Sequence, residues 1–83
     1  MTIQLPYYLK DQLLRAASSI SLNLAEGRGK SSRKDQLRYF DIAMGSTREC
    51  SAVLALVDID CPELYRLLDR LGGSLYLLIK KAR

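Results

Sequence analysis

The stretch NLAEGRGKSSRKD, residues 23–35, decides how this chain folds, because it holds the densest group of helix-breaking residues in the sequence. Only two prolines occur, Pro6 and Pro62, so long segments on both sides of the stretch are free to be helical. We therefore expect residues 23–35 to contain the connection between two long helices.

Apolar side chains recur at helical spacing on both sides of this connection. The most regular seam belongs to the last segment, where leucines alternate at intervals of four and three residues: Leu64, Leu68, Leu71, Leu75 and Leu78. This spacing is typical of helices that pack antiparallel in a bundle. We predict an all-α fold, an antiparallel up-down helical bundle that forms a single domain over residues 1–83, with helices at about residues 6–26, 32–58 and 62–81.

Local signals set the predicted ends of the helices. Gly27 is expected to stop the first helix. Ser32, with Asp35 three residues on, is expected to cap the second. Asp60 and Glu63 have the spacing of a capping box and should open the third helix.

Glycines inside two predicted helices point to special packing. A glycine costs about 1 kcal/mol relative to alanine in a helix interior. At Gly45 we therefore expect a neighbouring backbone to lie close. At Gly72 and Gly73 we expect either a local bend or a tight helix contact.

Composition excludes several classes of protein. The 83 residues include no His, which rules out imidazole catalysis and His-ligated metals. Cys50 and Cys61 lack C-x-x-C spacing, so we interpret both as reduced thiols, with Cys50 buried. No carboxylate pair stands out, and we predict no enzymatic activity, no cofactor and no metal site. Without an apolar run of ~20 residues or a signal-peptide pattern, we expect a cytoplasmic protein that does not enter a membrane.

Positive charge concentrates around the first connection, in a chain with a formal net charge of +4. The densest cluster comprises Arg28, Lys30, Arg33, Lys34 and Arg38. It meets the start of the second helix, whose free amides favour anions. We predict that these five residues bind RNA or DNA phosphates; the alternative is a solvated loop that keeps the chain soluble. Since Tyr39 is the only aromatic side chain placed to stack a base, binding should tolerate many sequences.

Glu26 falls in the closing turn of the first predicted helix, where the helix dipole opposes a negative charge. We therefore expect a cation beside it, supplied by Arg28, by Arg15 or by an arginine of another helix.

Surplus apolar surface predicts self-association. The bands of apolar side chains along the predicted helices are wider than three packed helices can bury. A chain this short also has neither a disulfide nor a metal to stabilise it. The expected oligomer interface consists of Leu75, Tyr76, Leu77 and Ile79. Under the alternative interpretation, this face docks a partner protein, and the chain is a protein-protein interaction or scaffold module without nucleic-acid binding.

Two motifs carry a family resemblance. The sequence Asn23-Leu24-Ala25-Glu26-Gly27, followed by Ala43-Met44-Gly45-Ser46, resembles the four-helix-bundle family encoded in intervening sequences of bacterial 23S ribosomal RNA genes. The match in order and spacing covers roughly residues 5–57. The resemblance implies an up-down bundle that assembles into homopentamers. A related branch serves as the accessory protein of diversity-generating retroelements, where it binds reverse transcriptase and nucleic acid.

The chain departs from that family at its start. Family members carry another helix before the Leu-Pro that corresponds to Leu5-Pro6, so the resemblance implies that three of four helices are present and the first is lacking. Either a partner chain then fills the vacant groove, or the assembly differs from the family's homopentamer. The residues shared with the family are predicted to form turns and packing contacts and to have no catalytic role: Asn23, Glu26, Gly27, Gly45 and Ser46.

Overall fold

The computed structural model describes residues 6–56 and 61–83, which form three long helices. Helix α1 spans Tyr7–Arg28, α2 spans Arg33–Leu56 and α3 spans Pro62–Ala82. No strand occurs in the described residues, so the predicted all-α class is confirmed. The molecule measures 42 × 22 × 18 Å along its principal axes, the shape of a short helical bundle.

Helices α1 and α2 pack antiparallel along their length. Gln12, near the start of α1, donates a hydrogen bond of 3.2 Å to Glu49 in the second half of α2. At the other end, Gly27 lies against Phe40 in the first half of α2. This geometry follows from the short connection at residues 29–32, which leaves the two helices adjacent.

Helix α3 runs back along the other side of α2. Leu68, in the first half of α3, packs in one buried cluster with Leu54, near the described end of α2. Ala82, at the end of α3, lines the same cleft as Phe40. Within the described part of the chain, α1 and α3 both pack against α2, but their backbones do not approach each other closely. Helix α2 is therefore the central element.

The buried core joins all three helices: it contains Ala16, Ile20, Cys50, Leu54 and Leu68. Cys50 is buried, as predicted, and both cysteines are free thiols. Burial, and to a smaller extent the neighbouring carboxylate of Glu49, raises the pKa of the Cys50 thiol.

The first connection differs in detail from the prediction. Helix α1 continues through Gly27 and ends at Arg28, so the expectation that Gly27 stops the helix is wrong. Gly29 follows with φ −85°, in the right-handed region, and therefore supplies no left-handed cap. The predicted cap of α2 is confirmed, since the Asp35 amide donates a 3.1 Å hydrogen bond to Ser32 Oγ.

Gly27 is required for packing and not for a turn. A Cβ atom at this position would lie 2.6 Å from Cε1 and 2.8 Å from Cδ1 of the buried Phe40 ring. It would also lie 3.1 Å from Cβ of Tyr39. The absence of a side chain at Gly27 lets α1 approach α2 closely.

The predicted close contact at Gly45 is wrong, and so is the tight-contact alternative at Gly72 and Gly73, while a bend at Gly72 and Gly73 stays a prediction. A Cβ atom at Gly45, Gly72 or Gly73 would meet nothing within 4 Å, so none of them marks a close helix contact. Helix α3 also continues without interruption through Gly72 and Gly73. The structure provides no packing reason for these three glycines.

The structure describes only part of the predicted start of α3. Pro62 is its first residue, as expected, and Cys61 precedes it without a side-chain cap. Asp60 and the predicted end of the second helix at residue 58 lie outside the described residues.

Candidate nucleic-acid interface

The three helices meet at one end of the bundle, where α1 ends, α2 begins and α3 ends. A cleft of about 270 Å³ lies between them. Its rim carries one cation from each helix, and we call it the three-cation cleft after Arg28, Arg33 and Lys81. Two of these cations were predicted as site residues, and the structure adds Lys81.

Buried and hydrogen-bonded groups hold the floor of this cleft. Phe40 is 4% exposed and Ala82 is 6% exposed, so the floor is part of the packed bundle. Gln36 also lines the cleft and donates a 3.0 Å hydrogen bond to the carbonyl of Lys30. This bond ties α2 to the preceding connection.

Helix dipoles explain only part of this arrangement of charge. Arg28 lies in the last turn of α1 and Lys81 in the last turn of α3, where a cation contributes about 0.3–1 kcal/mol. Arg33 begins α2, where the dipole disfavours a cation. None of the residues that line the cleft is a carboxylate. The cleft therefore presents three cations and no carboxylate in its lining, and an anion is the ligand that this charge favours.

Lys30 and Arg38 form a separate group around Tyr39. The Lys30 Nζ atom lies 5.2 Å from the centre of the ring, and the Arg38 Cζ atom lies 4.9 Å from it. Arg38 also donates a 3.1 Å hydrogen bond to the Tyr39 hydroxyl. Since two cations already lie over the ring, its role in the structure is to hold them, and it is not a free platform for a base. We call Glu26, Lys30, Arg38 and Tyr39 the Tyr39 cluster.

Glu26 has a different partner from the one predicted. Its carboxylate lies 3.7 Å from Lys30 Nζ, one helical turn further along the chain. Arginine was expected in this position, and that expectation is wrong. Lys30 lies four residues after Glu26 and reaches its carboxylate, while Arg28 lines the three-cation cleft.

The five predicted cations therefore do not form one surface. Arg28 and Arg33 share the three-cation cleft, Lys30 and Arg38 belong to the Tyr39 cluster, and Lys34 is exposed at the start of α2. Sequence reasoning missed Lys81 because the end of α3 is about fifty residues from the connection. The sequence nevertheless contains a signal. The last turn of a third helix that runs antiparallel to α2 lies at the end where α2 begins, so its basic residues come close to those of the connection.

An apolar groove adjoins the three-cation cleft. Its volume is about 700 Å³, and it shares Arg28, Leu78 and Lys81 with that cleft. Leu77 lines it and is 60% exposed. Ser74 and Lys80 complete its lining. We call it the Leu77 groove.

The predicted oligomer interface is only partly accessible. Tyr76 and Leu77 are both 60% exposed, whereas Leu75 is fully buried and Ile79 is 8% exposed. The expectation that Leu75 and Ile79 lie on an exposed face is wrong, because these two side chains form part of the core between α3 and the rest of the bundle.

A second apolar opening lies toward the opposite end, between α1 and α3. It has a volume of about 360 Å³ and is lined almost entirely by aliphatic side chains: Leu13, Leu14, Ala17, Ile20, Ser21, Cys50, Leu54, Leu64, Leu67, Leu68 and Leu71. Leu14 and Leu67 are more than half exposed there. We call it the α1–α3 groove, and it shows that three helices leave part of the core uncovered.

Comparison with known protein families decides the classification. The sequence model of the 23S rRNA-intervening sequence protein family matches residues 3–60, more than half of the chain. The chain belongs to this family. Neither a curated protein nor a solved structure matched the chain significantly.

The motif residues that carry the resemblance to the 23S rRNA-intervening sequence protein family lie on α1 and α2. Ser46 Oγ donates a 2.7 Å hydrogen bond to Ser19 Oγ, which also accepts a 3.0 Å bond from the Asn23 amide. Gly27 lies against Phe40. Gly45 is exposed. The structure thus brings Asn23 and Ser46 together through Ser19, in positions that contribute to packing.

Residues 6–56 and 61–83 contain no helix with the length and apolarity needed to cross a membrane. The same residues contain no group of three or more side chains suited to holding a metal ion.

Proposed function

We propose that this family member is a non-enzymatic, oligomeric helical-bundle protein of the bacterial cytoplasm that binds RNA or DNA through backbone phosphates. The observation that supports this proposal is the convergence of Arg28, Arg33 and Lys81 on one cleft with no carboxylate in its lining. A phosphodiester backbone supplies the repeated negative charge that such a surface binds.

Recognition through phosphates, without base readout, is favoured by the lining of the three-cation cleft, in which Phe40 is the one aromatic residue. Tyr39 is covered by Lys30 and Arg38, and Phe40 is 4% exposed. Contacts to phosphate position a protein on nucleic acid without reading its sequence. The proposed binding is therefore tolerant of sequence and sensitive to salt.

Replacing all five predicted cations tests the proposal directly. A variant carrying Arg28→Gln, Lys30→Gln, Arg33→Gln, Lys34→Gln and Arg38→Gln is expected to lose binding to labelled RNA and DNA. The slope of log affinity against log salt should flatten at the same time. Fluorescence anisotropy over a salt series measures both quantities, and unchanged affinity would contradict the proposal.

The division between the two groups of cations sharpens this test. The pair Arg28→Gln and Arg33→Gln should weaken binding by about tenfold, since each removes a cation from the cleft. The pair Lys30→Gln and Arg38→Gln should cost about threefold or less, because Lys30 is paired with the Glu26 carboxylate and Arg38 is held by a hydrogen bond to the Tyr39 hydroxyl.

A matched control is available on the third helix. The pair Arg66→Gln and Arg70→Gln removes the same charge from the part of α3 furthest from the cleft, and affinity should barely change. If the control weakens binding as much as Arg28→Gln with Arg33→Gln does, net charge and not the cleft determines affinity.

Self-association is the second part of the proposal. The α1–α3 groove and the exposed Tyr76 and Leu77 leave apolar surface that a second copy can cover, and the family resemblance suggests a homopentamer. Light scattering on the untagged protein, purified without nuclease, gives the mass of the particle. A particle several times the 9.4 kDa chain that releases nucleic acid in about 1 M salt supports the proposal. A clean monomer contradicts the oligomer.

The same apolar surfaces support the alternative, a scaffold module that binds a partner protein and no nucleic acid. Tyr76→Asp with Leu77→Asp should release such a partner, because both side chains are exposed and the substitutions leave the core intact. Ile79 is unsuitable for this test, since a charge there would be buried. Loss of a co-purifying protein, without any nucleic-acid binding by the unmodified chain, would favour the scaffold.

A further inference from the structure

We infer that the nucleic-acid surface continues beyond the three-cation cleft, around the last turn of α3, and into a cleft between α2 and α3 that is lined by Gly45, Arg48 and Lys80. We call this opening the Gly45 cleft. The extension rests on the proposed nucleic-acid binding and deepens it, because it gives the phosphate backbone a path over the protein and adds cations that contact it.

The Gly45 cleft has a volume of about 580 Å³ and lies between the middle of α2 and the last two turns of α3. Its charged lining residues are Asp41, Arg48, Lys80 and Arg83. The ion pairs within 4 Å among the described residues use carboxylates of α1, so Asp41 is paired with none of these three cations. The cleft therefore has an excess of positive charge, which favours an anionic ligand.

Shared residues join the Gly45 cleft to the basic end of the bundle. Lys80 lines both the Gly45 cleft and the Leu77 groove. Arg28 and Lys81 line both the Leu77 groove and the three-cation cleft. The three openings therefore form one continuous surface. Its cations are Arg28, Arg33, Arg48, Lys80, Lys81 and Arg83.

The length of this surface suits a polyanion better than a single phosphate. Arg33 and Arg48 both lie on α2, and at about 1.5 Å per residue they are about 22 Å apart along the helix axis. A strand of nucleic acid carries one phosphate about every 3.4 Å, so this span corresponds to about six phosphates. A nucleic-acid backbone can contact both clefts at once, which a small anion cannot do.

Gly45 lies where such a backbone would approach α2. A glycine inside a helix costs about 1 kcal/mol relative to alanine, yet a Cβ atom at Gly45 would meet nothing within 4 Å. Packing between helices therefore gives no reason for this residue. Asp41 and Arg48 lie about one turn away on the same face of α2. Glycine between them leaves bare helix backbone in the cleft, and glycine is the residue that lets a ligand approach a backbone closely.

Fluorescence anisotropy with a labelled DNA duplex longer than this path tests the added cations. Arg48→Gln with Lys80→Gln is expected to weaken binding about tenfold at low salt. The slope of log affinity against log salt should fall by about 1.8, since each phosphate contact contributes about 0.9. Both residues lie inside helices, whereas Arg83 is the last residue of the sequence and is left unchanged.

A matched control removes the same charges from the opposite end of the bundle. Lys10 lies near the start of α1 and Arg66 near the start of α3, and both are exposed. Lys10→Gln with Arg66→Gln should leave affinity and salt slope nearly unchanged. An equal loss in both double variants would show that net charge determines binding, which overturns the proposed path.

Gly45→Leu tests the floor of the cleft separately from its charge. Leucine favours a helix and finds open space here, so the variant should be at least as stable as the unmodified protein. Its side chain occupies the cleft and should weaken DNA binding about threefold to tenfold. Gly73→Leu is the matched control, because a Cβ atom there also meets nothing and Gly73 lines none of the three openings. Urea unfolding establishes that both variants are folded.

The remaining outcomes separate the path from the proposed function. If the five-cation variant loses binding while Arg48→Gln with Lys80→Gln and Gly45→Leu both bind normally, the path is wrong and phosphate binding at the first connection stands. If the unmodified protein binds no nucleic acid, both proposals fail. If Gly45→Leu changes the mass of the particle in light scattering but not its affinity for DNA, a second copy occupies the cleft, and the path is again overturned.

Discussion

The two ends of the bundle differ in how far the helices cover the small core. At the end that holds the first connection, Gly27 allows α1 to lie against Phe40, and the surface that remains is mainly cationic. At the opposite end α1 and α3 leave a gap over Leu54 and Leu68, and the surface that remains is aliphatic. One end is closed and charged, and the other is open and apolar.

This difference separates two kinds of interaction on one small chain. The closed end places cations from three helices around one cleft, which suits an anionic ligand. The open end has apolar area still to bury, which suits a protein surface. The proposed nucleic-acid binding uses the closed end and the α1–α3 groove lies toward the open end, so a variant confined to that groove should leave nucleic-acid binding intact.

Shortening a buried side chain at the closed end should have the largest effect on stability. Phe40→Ala removes a ring that is 4% exposed and should lower the free energy of unfolding by about 3–5 kcal/mol. Leu14→Ala at the open end should cost less than about 1 kcal/mol in the monomer, because Leu14 is 60% exposed. Urea unfolding at low protein concentration measures both.

Unfolding of Phe40→Ala and Leu14→Ala at several protein concentrations tests the difference between the two ends of the bundle. If a second copy covers the α1–α3 groove, the cost of Leu14→Ala should grow as concentration rises, since mass action then adds the interface to stability. A cost for Leu14→Ala that matches Phe40→Ala at every concentration would mean that the open end is not open.

A smaller effect is expected at the close contact between α1 and α2. Gly27→Ala gains about 1 kcal/mol in helix propensity but forces a methyl group against Phe40, and overpacking costs about 1–3 kcal/mol. We expect a net loss of about 1 kcal/mol, measured by chemical unfolding. Gly45→Ala, where a methyl group meets nothing, is the matched control and should gain up to about 1 kcal/mol. Equal shifts in both variants would rule out the close contact.

Periodicity predicted the helices well, because the pattern of apolar residues records which face of each helix is buried. The leucine seam of α3 is an example, with Leu75 fully buried and Leu68 at 8% exposure. The cap at Ser32 was also predictable, since a cap depends only on residues three positions apart. Both signals are local in the sequence.

The errors arose where a residue's role depends on a distant partner. Gly27 has the sequence signature of a helix stop, but its function is set by Phe40, thirteen residues away on another helix. Lys81 joins Arg28 only through the path of the whole chain. Ile79 was expected to be exposed because its neighbours are apolar on every side, and only the position of α2 decides which of them is buried.

The smallest predicted effect concerns Cys50, which lines the α1–α3 groove. Burial raises the pKa of its thiol, so the folded chain keeps this proton at a pH where the unfolded chain has begun to lose it. The contribution of Cys50 to the free energy of unfolding is therefore constant below the ordinary thiol pKa of about 8.5 and falls as the pH rises above it.

Comparison with Cys50→Ala isolates this contribution from other groups that titrate in alkali. Between about pH 8 and pH 10 the unmodified protein should lose more stability than the variant, by no more than about 1.4 kcal/mol per pH unit, the limit for one proton. Thiol labelling provides an independent measurement, because the half-buried Cys61 should react before Cys50. Equal alkaline slopes, together with equal labelling rates, would mean that water reaches Cys50 through the open end. The apolar groove would then be wet, which removes the physical reason for a second copy to cover it.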